Sequence, residues 1–270
     1  TGSIANAKLE YSTNGGTTYP SIIIASTPAG GLSYAWTIPD AITLTAKVKI
    51  SDVSDATVFD ESNANFNILG GFTVTAPNGS EVWTVNESRN ITWTTAGTVA
   101  NVKLEYSTDG GTTYPNVIIA TTPNNNTYAW TIPDNISNGV RVKVSDTTNA
   151  DAFDTSNTNF KIRGSLTVAA PNGAEAWAIN STQSITWTKV GSIANVKLEY
   201  STNGFTDELQ TFLIIASASA TTGTPYAWLI PDKPSASVKV RISDVSDATV
   251  FDLSNNVFSI KGSLWITAPN

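Results

Sequence analysis

Cysteine, histidine and methionine are all absent from the 270 residues. Without cysteine there is no disulfide framework and no thiolate nucleophile, so each folded unit must be stabilised by its own apolar core. Without histidine the commonest general base of catalysis is missing. No glycine-rich phosphate loop joins a strand to a helix. We therefore expect no enzymatic activity and no resident cofactor. Little in the chain can be oxidised, which suits a protein outside the cell.

Charged residues are also scarce, at 14% of the chain, where about a quarter is usual. The net charge of −7 disfavours nucleic acid, whose phosphates need lysine and arginine, and it disfavours an anionic membrane surface. No run of 18 apolar residues is present that would predict a membrane-spanning helix. We expect neither a nucleic-acid partner nor direct membrane insertion.

A long internal repeat is the strongest positive signal. The segment VKLEYST occurs at 102–108 and 196–202, with AKLEYST at 7–13. YAWTIPD occurs at 34–40 and 128–134, and YAWLIPD at 226–232. Trp36 and Trp130 are 94 residues apart, and Trp130 and Trp228 are 98 apart. This period is longer than that of solenoid repeats and matches one whole sandwich domain.

Short alternating strands fill each repeat. In the second repeat they are FTVTA (72–76), NITWT (90–94), VKLEYS (102–107), NVIIA (116–120), TYAWTI (127–132), VRVKVS (140–145) and NFKIR (159–163). Each is rich in β-branched and aromatic residues and is bounded by Gly, Pro, Asn or Asp. The sequence therefore predicts an all-β fold of tandem seven-stranded β-sandwich modules of the Ig-like or fibronectin-type-III-like kind.

The repeats also predict the domain bounds. Residues 1–69 (repeat 1) form a partial module without its first two strands, and residues 264–270 form the first strand of a further module. Residues 72–163 (repeat 2) and 166–262 (repeat 3) form complete modules. Two-residue linkers predict restricted motion between neighbours. Because a partial module leaves its core open, we expect the array to continue at both ends, or neighbouring chains to add strands.

An acidic loop recurs in each repeat and is the candidate metal site. Clustered carboxylates on a loop can bind Ca²⁺, which takes six to eight oxygen ligands. The alternative is that the same side chains cap turns, as Asx and Ser motifs do. The candidate calcium ligands are Asp52, Asp55 and Asp60 in repeat 1, Asp146, Asp151 and Asp154 in repeat 2, and Asp244, Asp247 and Asp252 in repeat 3.

A hairpin turn in repeat 2 reads Ser107-Thr108-Asp109-Gly110-Gly111-Thr112-Thr113-Tyr114 and resembles the Asp-box of many β proteins. We interpret it as a structural turn, because Asp109 can accept backbone N–H bonds across it. Repeat 1 has Asn14 at that position, and repeat 3 diverges after Gly204.

Asparagine sequons and tryptophans supply two further sets of candidates. We expect core packing for the repeated tryptophans and an interface role for Trp265, which stands where the other first strands have Thr. In a secreted eukaryotic protein the sequons would be glycan acceptors. The predicted acceptors are Asn78, Asn86, Asn125, Asn135 and Asn180, whereas Asn90 opens a strand.

The run from Pro77 to Ile162 resembles a known family of surface proteins. Its marks are APNGSEVW, NITWT, VKLEYS, TYAWTIPD and a final NFKI after an Asp/Ser-rich loop. The chain thereby resembles the serine–threonine-rich domain of fungal GPI-anchored cell-wall proteins and its relatives in large bacterial surface proteins. The resemblance implies a tandem Ig-like architecture, a location at the cell envelope and no catalytic residues.

Three hypotheses of function follow. The first is a structural repeat region of an extracellular surface protein or filament, such as an S-layer subunit, stalk, adhesin shaft or fibre. Its partners would be the continuing array or other copies of the chain. The second is an adhesive module that binds a surface glycan or a protein partner through loops at a sandwich end, with residues 205–212 as the candidate loop. The third is an accessory domain of an enzyme.

Overall fold

The computed structural model describes residues 4–221 and 223–262. Contacts between Cα atoms divide the chain into two compact units. Unit 1 comprises Thr1–Gly79, Asn90–Tyr128 and Arg141–Thr158, and unit 2 comprises Ser80–Arg89, Ala129–Val140 and Asn159–Asn270. Repeat 1 lies wholly in unit 1, repeat 3 lies wholly in unit 2, and repeat 2 contributes to both. The predicted module bounds do not follow this division and stay a prediction.

Repeat 1 forms one sheet in its described part, residues 4–69. Its strand order is β2-β1-β3-β4, and the fifth strand pairs with β3. A short 3-10 turn at Ala29–Gly31 follows β2. The strands are β1 (Asn6–Ser12), β2 (Ser21–Pro28), β3 (Thr43–Asp52), β4 (Phe59–Glu61) and β5 (Phe66–Ile68).

Repeat 2 contains the seven predicted strands and two short ones that alternation did not predict. The short strands are β7 and β13, with three residues each. The strands are β6 (Gly71–Ala76), β7 (Val82–Thr84), β8 (Ser88–Ala96), β9 (Asn101–Ser107), β10 (Asn116–Pro123), β11 (Thr127–Thr131), β12 (Ser137–Asp146), β13 (Phe153–Thr155) and β14 (Phe160–Arg163). Within unit 1, β6 pairs with β8, and β9 pairs with β10 and β12. Within unit 2, β7 runs parallel to β14.

Repeat 3 repeats that strand order and shows the sandwich in one unit. One sheet has the order β15-β17-β20, and the other has β16-β23-β21-β18-β19 with β22 on β21. A 3-10 turn at Glu208–Gln210 precedes β19. The strands are β15 (Ser165–Ala170), β16 (Ala176–Ala178), β17 (Thr182–Val190), β18 (Asn195–Ser201), β19 (Thr211–Ser219), β20 (Tyr226–Leu229), β21 (Ser235–Asp244), β22 (Phe251–Leu253) and β23 (Phe258–Lys261).

The core of repeat 3 lies between its two sheets, because alternate side chains of facing strands point inward. Val168 and Trp187 from one sheet pack in the same cluster as Leu198, Val240 and Phe258 from the other. All five are at most 5% exposed. The predicted fold class, all-β with tandem Ig-like or fibronectin-type-III-like sandwich modules, is confirmed.

The tryptophan of repeat 1 departs from the predicted core position. Trp130 and Trp228 are buried, whereas Trp36 is only half-buried and lies in no strand. In repeat 3 the equivalent strand β20 pairs with β17. Among the described residues the segment around Trp36 forms no strand, and its ring contacts those of Tyr11 and Phe66 at centroid distances of 5.1 and 6.5 Å.

No helix among residues 4–221 and 223–262 is long and apolar enough to cross a membrane. The prediction that the chain does not insert directly into a membrane stays a prediction.

Three equivalent leucines allow a test of this description. Leu104 and Leu198 are fully buried, whereas Leu9 is half-buried. Replacing Leu104 or Leu198 with alanine should lower the free energy of unfolding of its repeat by about 2–5 kcal/mol, because a cavity remains in a closed core. Leu9→Ala should cost clearly less. Amide hydrogen exchange of each repeat's strands measures the three losses separately, and equal losses would contradict the lower burial of Leu9.

Candidate functional site

One aspartate of repeat 1 and one aspartate of repeat 2 each bind a loop of the following repeat. In unit 1 the Thr98 N–H donates to Asp40 Oδ1 at 2.9 Å, and the Thr98 hydroxyl donates to Asp40 Oδ2. In unit 2 the Ser192 N–H donates to Asp134 Oδ1 at 2.8 Å, and the Ser192 hydroxyl donates to Asp134 Oδ2. Donor and acceptor are 58 residues apart in both pairs. We call each pair, with its flanking residues, an aspartate junction.

Glycines allow the chain to pack closely at both junctions. A Cβ atom on Gly70 would lie 2.4 Å from Val99 Cγ2, and one on Gly164 would lie 2.6 Å from the Val190 carbonyl oxygen. Gly191, which precedes Ser192, has a φ of +83°, a conformation that favours glycine. The two-residue linkers are therefore packed against the neighbouring repeat and are not free tethers.

The second junction contains a further polar contact inside unit 2. Lys161 forms an ion pair with Asp247 and donates to Thr249 Oγ1 at 3.2 Å. Arg163 donates to the Thr249 carbonyl oxygen at 3.4 Å. Burial raises the pKa of Asp247, but the hydrogen bonds from Lys161 and Thr249 outweigh it and lower the pKa below its ordinary value. The basic end of β14 thus binds the acidic loop of repeat 3.

The junction residues were not among the candidates drawn from the sequence. Their signal is present, because both aspartates close the repeated Ile-Pro-Asp motif. Both hydroxyl residues follow a glycine, in Gly97-Thr98 and Gly191-Ser192. Nothing in a single sequence shows that these two motifs meet across 58 residues.

Five of the nine acidic-loop carboxylates cap their own turns. Each accepts both the N–H and the hydroxyl of the Ser or Thr two positions further along the chain, which is the Asx-turn arrangement. These residues are Asp52, Asp55, Asp146, Asp244 and Asp247. Asp151 donates its own N–H to Asn149 Oδ1. These contacts are the ones expected from the turn interpretation.

Asp154 and Asp252 have a different partner, far away in the sequence. Asp154 Oδ2 accepts the N–H of Val74 at 2.7 Å, and Asp252 Oδ2 accepts the N–H of Val168 at 2.7 Å. Val74 and Val168 are the central inward residues of β6 and β15, the first strands of their repeats. These carboxylates therefore hold a first strand on the opposite sheet. Asp60 is their counterpart in repeat 1, opposite Ile50 in the strand register.

The structure brings no three acidic side chains together as a metal cage. Within residues 4–221 and 223–262 there is no group of three or more Asp or Glu that could hold a metal ion. The calcium hypothesis therefore stays a prediction, and the hydrogen bonds favour the turn interpretation.

The Asp-box turn has the predicted structural role. The Thr113 N–H donates to Asp109 Oδ1 at 3.0 Å, and the Ser107 hydroxyl receives the N–H of Asp109 and of Gly111. The hydrogen bond from Ser107 is the largest of several that lower the pKa of Asp109 far below its ordinary value. Repeat 3 keeps the first half of the turn, since Ser201 donates to Asn203 Oδ1 at 2.5 Å.

Most of the predicted glycan acceptors lie on the surface. Asn86, Asn125, Asn135 and Asn180 are exposed, and Asn86 and Asn180 have positive φ in tight turns. Asn78 is half-buried, and its Oδ1 accepts the N–H of Asn157 at 2.6 Å. Glycosylation stays a prediction at all five positions. Trp265 lies outside the described residues, so its interface role also stays a prediction.

No protein-family model and no curated protein matches the chain. The chain is similar to the fibronectin(III)-like modules of Clostridium thermocellum CbhA, with 15% identity over 71% of this chain and 92% of that chain, at a TM-score of 0.24. It is also similar to a structure of three titin Ig domains, with 9% identity, 96% and 88% coverage and a TM-score of 0.35.

The N-terminal four Ig domains of Dscam1 give 8% identity, 96% and 65% coverage and a TM-score of 0.34. These TM-scores are too low to carry an argument, so the fold class rests on the strands and sheets above. The cell-wall domain family named from the sequence has no support from a family model.

The first junction should weaken in acid. Hydrogen bonds from the Thr98 side chain and N–H lower the pKa of Asp40 below its ordinary value. The unfolded-state pKa is about 3.9, so the contribution to stability is fully present above that pH and is lost as pH falls through the lower folded pKa. Hydrogen exchange at the Thr98 amide should lose protection in that range. Asp40→Asn, which cannot ionise, is the control, and an equal loss in that variant would contradict the assignment.

Calcium distinguishes the two interpretations of the acidic loops. A calcium site predicts that millimolar calcium raises the melting temperature by mass action. The turn interpretation, which the hydrogen bonds favour, predicts no change beyond that seen with the same concentration of magnesium. A calcium-specific rise that Asp244→Asn reduces would establish the metal site.

Proposed function

We propose that this chain is a structural repeat region of an extracellular surface protein or filament, such as an S-layer subunit, stalk, adhesin shaft or fibre, and that it has no catalytic role. The observation that carries the proposal is the aspartate junction. It occurs twice, with the same chemical groups and the same spacing of 58 residues. Because the junction recurs with the repeat, an array can be extended by adding repeats that make the same contacts.

The chemistry of the junction suits a stable connection between successive repeats. A carboxylate that accepts an N–H and a hydroxyl makes charge-assisted bonds, which are stronger than neutral ones. Packed glycine linkers and the ion pair of Lys161 with Asp247 restrict motion at the second junction. Junctions that repeat in this way support a stalk or fibre, in which every repeat is connected to the next by the same contacts.

Repeat 3 carries a further copy of the junction's acceptor side. Asp232 closes the third Ile-Pro-Asp motif and is exposed, with no donor to its carboxylate among the described residues. This third copy of the motif supports a partner that is another repeat, in the same array or in a second copy of the chain.

The extracellular location is supported by composition and surface. The chain lacks cysteine and methionine and is poor in charge. Four sequon asparagines are exposed in turns or loops, so a glycan attached to them would extend into solvent.

An adhesive role is the alternative, through the loop at residues 205–212. Leu209 in this loop is 85% exposed, which is the feature that favours it. The aromatic rings of the loop are partly engaged, because Arg241 lies 4.8 Å from the Phe205 centroid and Lys233 lies 4.2 Å from the Phe212 centroid. Binding of the soluble protein to a glycan array, abolished by Leu209→Ser, would favour this alternative.

Electron microscopy of the producing cells tests the proposal. Gold-labelled antibodies raised against the purified chain should label the cell surface or a fibre that extends from it. Antibodies first absorbed with the purified chain are the control. Label confined to the cell interior would overturn the proposal.

A further inference from the structure

One sheet face of each repeat carries most of the chain's positive charge. It is the outward face of the sheet that contains β1 in repeat 1, β9 in repeat 2 and β18 in repeat 3, and we call it the basic face. Residues that are opposite each other in antiparallel register share a face. By this register the basic face contains Lys8, Lys47, Lys49, Lys103, Arg141, Lys143, Lys197, Lys239 and Arg241, with Glu10, Glu61, Glu105 and Glu199.

Positive and negative charge are therefore separated in this chain. The basic face has nine of the 15 Lys and Arg and four of the 22 Asp and Glu, which gives it a charge of +5, although the whole chain carries −7. At about 0.1 M salt, exposed charges more than about 10 Å apart are largely screened from each other. A ligand at this face therefore interacts mainly with the local positive charge, and charge complementarity favours an anionic ligand.

A row of three side chains crosses the basic face at the same place in every repeat. In repeat 2 Lys103 is opposite Ser145, and Ser145 is opposite Phe153 on the next strand. The serine is only 3% exposed, so the centre of the row is low. Because neighbouring strands are about 4.8 Å apart, the lysine and the phenylalanine border a gap of about 10 Å. The equivalent rows are Lys8, Ser51 and Phe59 in repeat 1 and Lys197, Ser243 and Phe251 in repeat 3.

The phenylalanine of each row is on the surface and not in the core. Phe59, Phe153 and Phe251 are 53%, 51% and 53% exposed. In repeats 1 and 2 a lysine of the same face lies near the ring, since Lys49 Nζ is 4.0 Å from the Phe59 centroid and Lys143 Nζ is 4.6 Å from the Phe153 centroid. An exposed aromatic ring offers a rigid apolar surface. The apolar C–H face of a sugar ring can stack on such a surface.

The lysine of each row is the more exposed member of an ion pair. Lys103 Nζ is 2.6 Å from Glu105 Oε1, and the two side chains are 36% and 12% exposed. Repeats 1 and 3 have the same pair, Lys8 with Glu10 and Lys197 with Glu199. An ammonium group has three N–H donors, so one glutamate contact leaves donors for a ligand. The glutamate thus positions the lysine without occupying it fully.

In repeat 3 the row borders a cavity of about 340 Å³. Its volume lies within the range of about 300–1,000 Å³ that is usual for small-molecule sites. Asp244 is at its edge, where it accepts the N–H and the hydroxyl of Ser246 and so caps its own turn. The lining residues that belong to the basic face are Lys197, Glu199, Arg241, Ser243 and Phe251.

We propose that the basic face binds an acidic polysaccharide, with one binding site at the Lys-Ser-Phe row of each repeat. The phenylalanine would stack on a sugar ring, and the lysine would donate to a carboxylate of the polymer. The small serine between them leaves room for the sugar. The inference rests on the proposed extracellular function, in which polysaccharides are available as ligands, and adds a binding activity to the structural role.

Other anionic partners match the basic face less well. Nucleic acid has a phosphate at every nucleotide, whereas the charge of +5 is spread over three repeats. The acidic loops of a second copy of the chain already accept hydrogen bonds, mostly within their own turns, and Asp247 pairs with Lys161. An acidic polysaccharide has a lower charge density than nucleic acid and supplies a sugar ring for each phenylalanine.

Two triple variants of the 270-residue chain each remove one member of every row. The lysine variant combines Lys8→Gln, Lys103→Gln and Lys197→Gln, and the phenylalanine variant combines Phe59→Ala, Phe153→Ala and Phe251→Ala. The matched control removes the same amount of positive charge from exposed residues outside the basic face, by Arg89→Gln, Lys233→Gln and Lys261→Gln. A thermal melt of each variant checks that it is folded.

Isothermal titration calorimetry with polygalacturonate, at about 0.1 M salt, measures the binding. The natural chain and the control variant should bind this polymer with similar affinity. The lysine variant and the phenylalanine variant should each bind at least about tenfold more weakly. Dextran, which is uncharged, should not bind, and about 1 M salt should abolish the binding of polygalacturonate because it screens the lysines.

Four results would overturn the proposal. They are no binding of polygalacturonate, binding that the lysine and phenylalanine variants leave unchanged, an equal loss in the control variant, and equally tight binding of polyglutamate or of a single-stranded oligothymidylate. The last result would show that the sugar ring is not recognised. Each can occur together with surface labelling in the cell experiment, so failure of this site is distinguishable from failure of the proposed function.

Discussion

One hydrogen bond between the two sheets holds the first strand in place in each of repeats 2 and 3. The carboxylate of Asp154 or Asp252 accepts the central N–H of the first strand, 80 or 84 residues earlier in the chain. The bond fixes the register of a strand whose inward residues complete the core, and a shift of one residue would turn those side chains to solvent. In repeat 1, for which the described residues include no first strand, Ile50 and Val58 are 44% and 48% exposed.

The junctions apply the same chemistry between repeats. Asp40 and Asp134 each accept an N–H and a hydroxyl from a loop of the following repeat, the one before β9 or before β18. A carboxylate needs only two hydrogen-bond donors within reach. The donor residue can therefore be a threonine at the first junction (Thr98) and a serine at the second (Ser192). The chain has few charged residues, and the carboxylates of its acidic loops mainly accept hydrogen bonds from backbone N–H and hydroxyl groups. In the described part of the chain no three acidic side chains lie close enough together to hold a metal ion.

Much of the fold was predictable from local pattern. Alternation in Val102, Leu104 and Tyr106 predicts β9 and its buried face, and all three side chains are buried. The three-residue strands β7 and β13 were missed because they are too short to show a period. Trp36 packs against Tyr11 and Phe66 but is less buried than its counterparts Trp130 and Trp228, which repetition of the motif alone did not indicate.

The site was predicted less well, for a physical reason. Asp52 and Asp60 look alike in the sequence, as acidic residues of one loop. One carboxylate is satisfied within its own turn, and the counterparts of the other bind a strand about 80 residues away. Only the folded arrangement distinguishes them, because a hydrogen-bond partner on the opposite sheet produces no recognisable spacing in the nearby sequence.

Amide hydrogen exchange in an Asp154→Ala variant tests the central claim most directly. The account predicts that the Val74 amide loses its protection while the equivalent Val168 amide, held by Asp252, keeps it. Unchanged protection at Val74 would contradict the claim that this carboxylate holds the first strand in place.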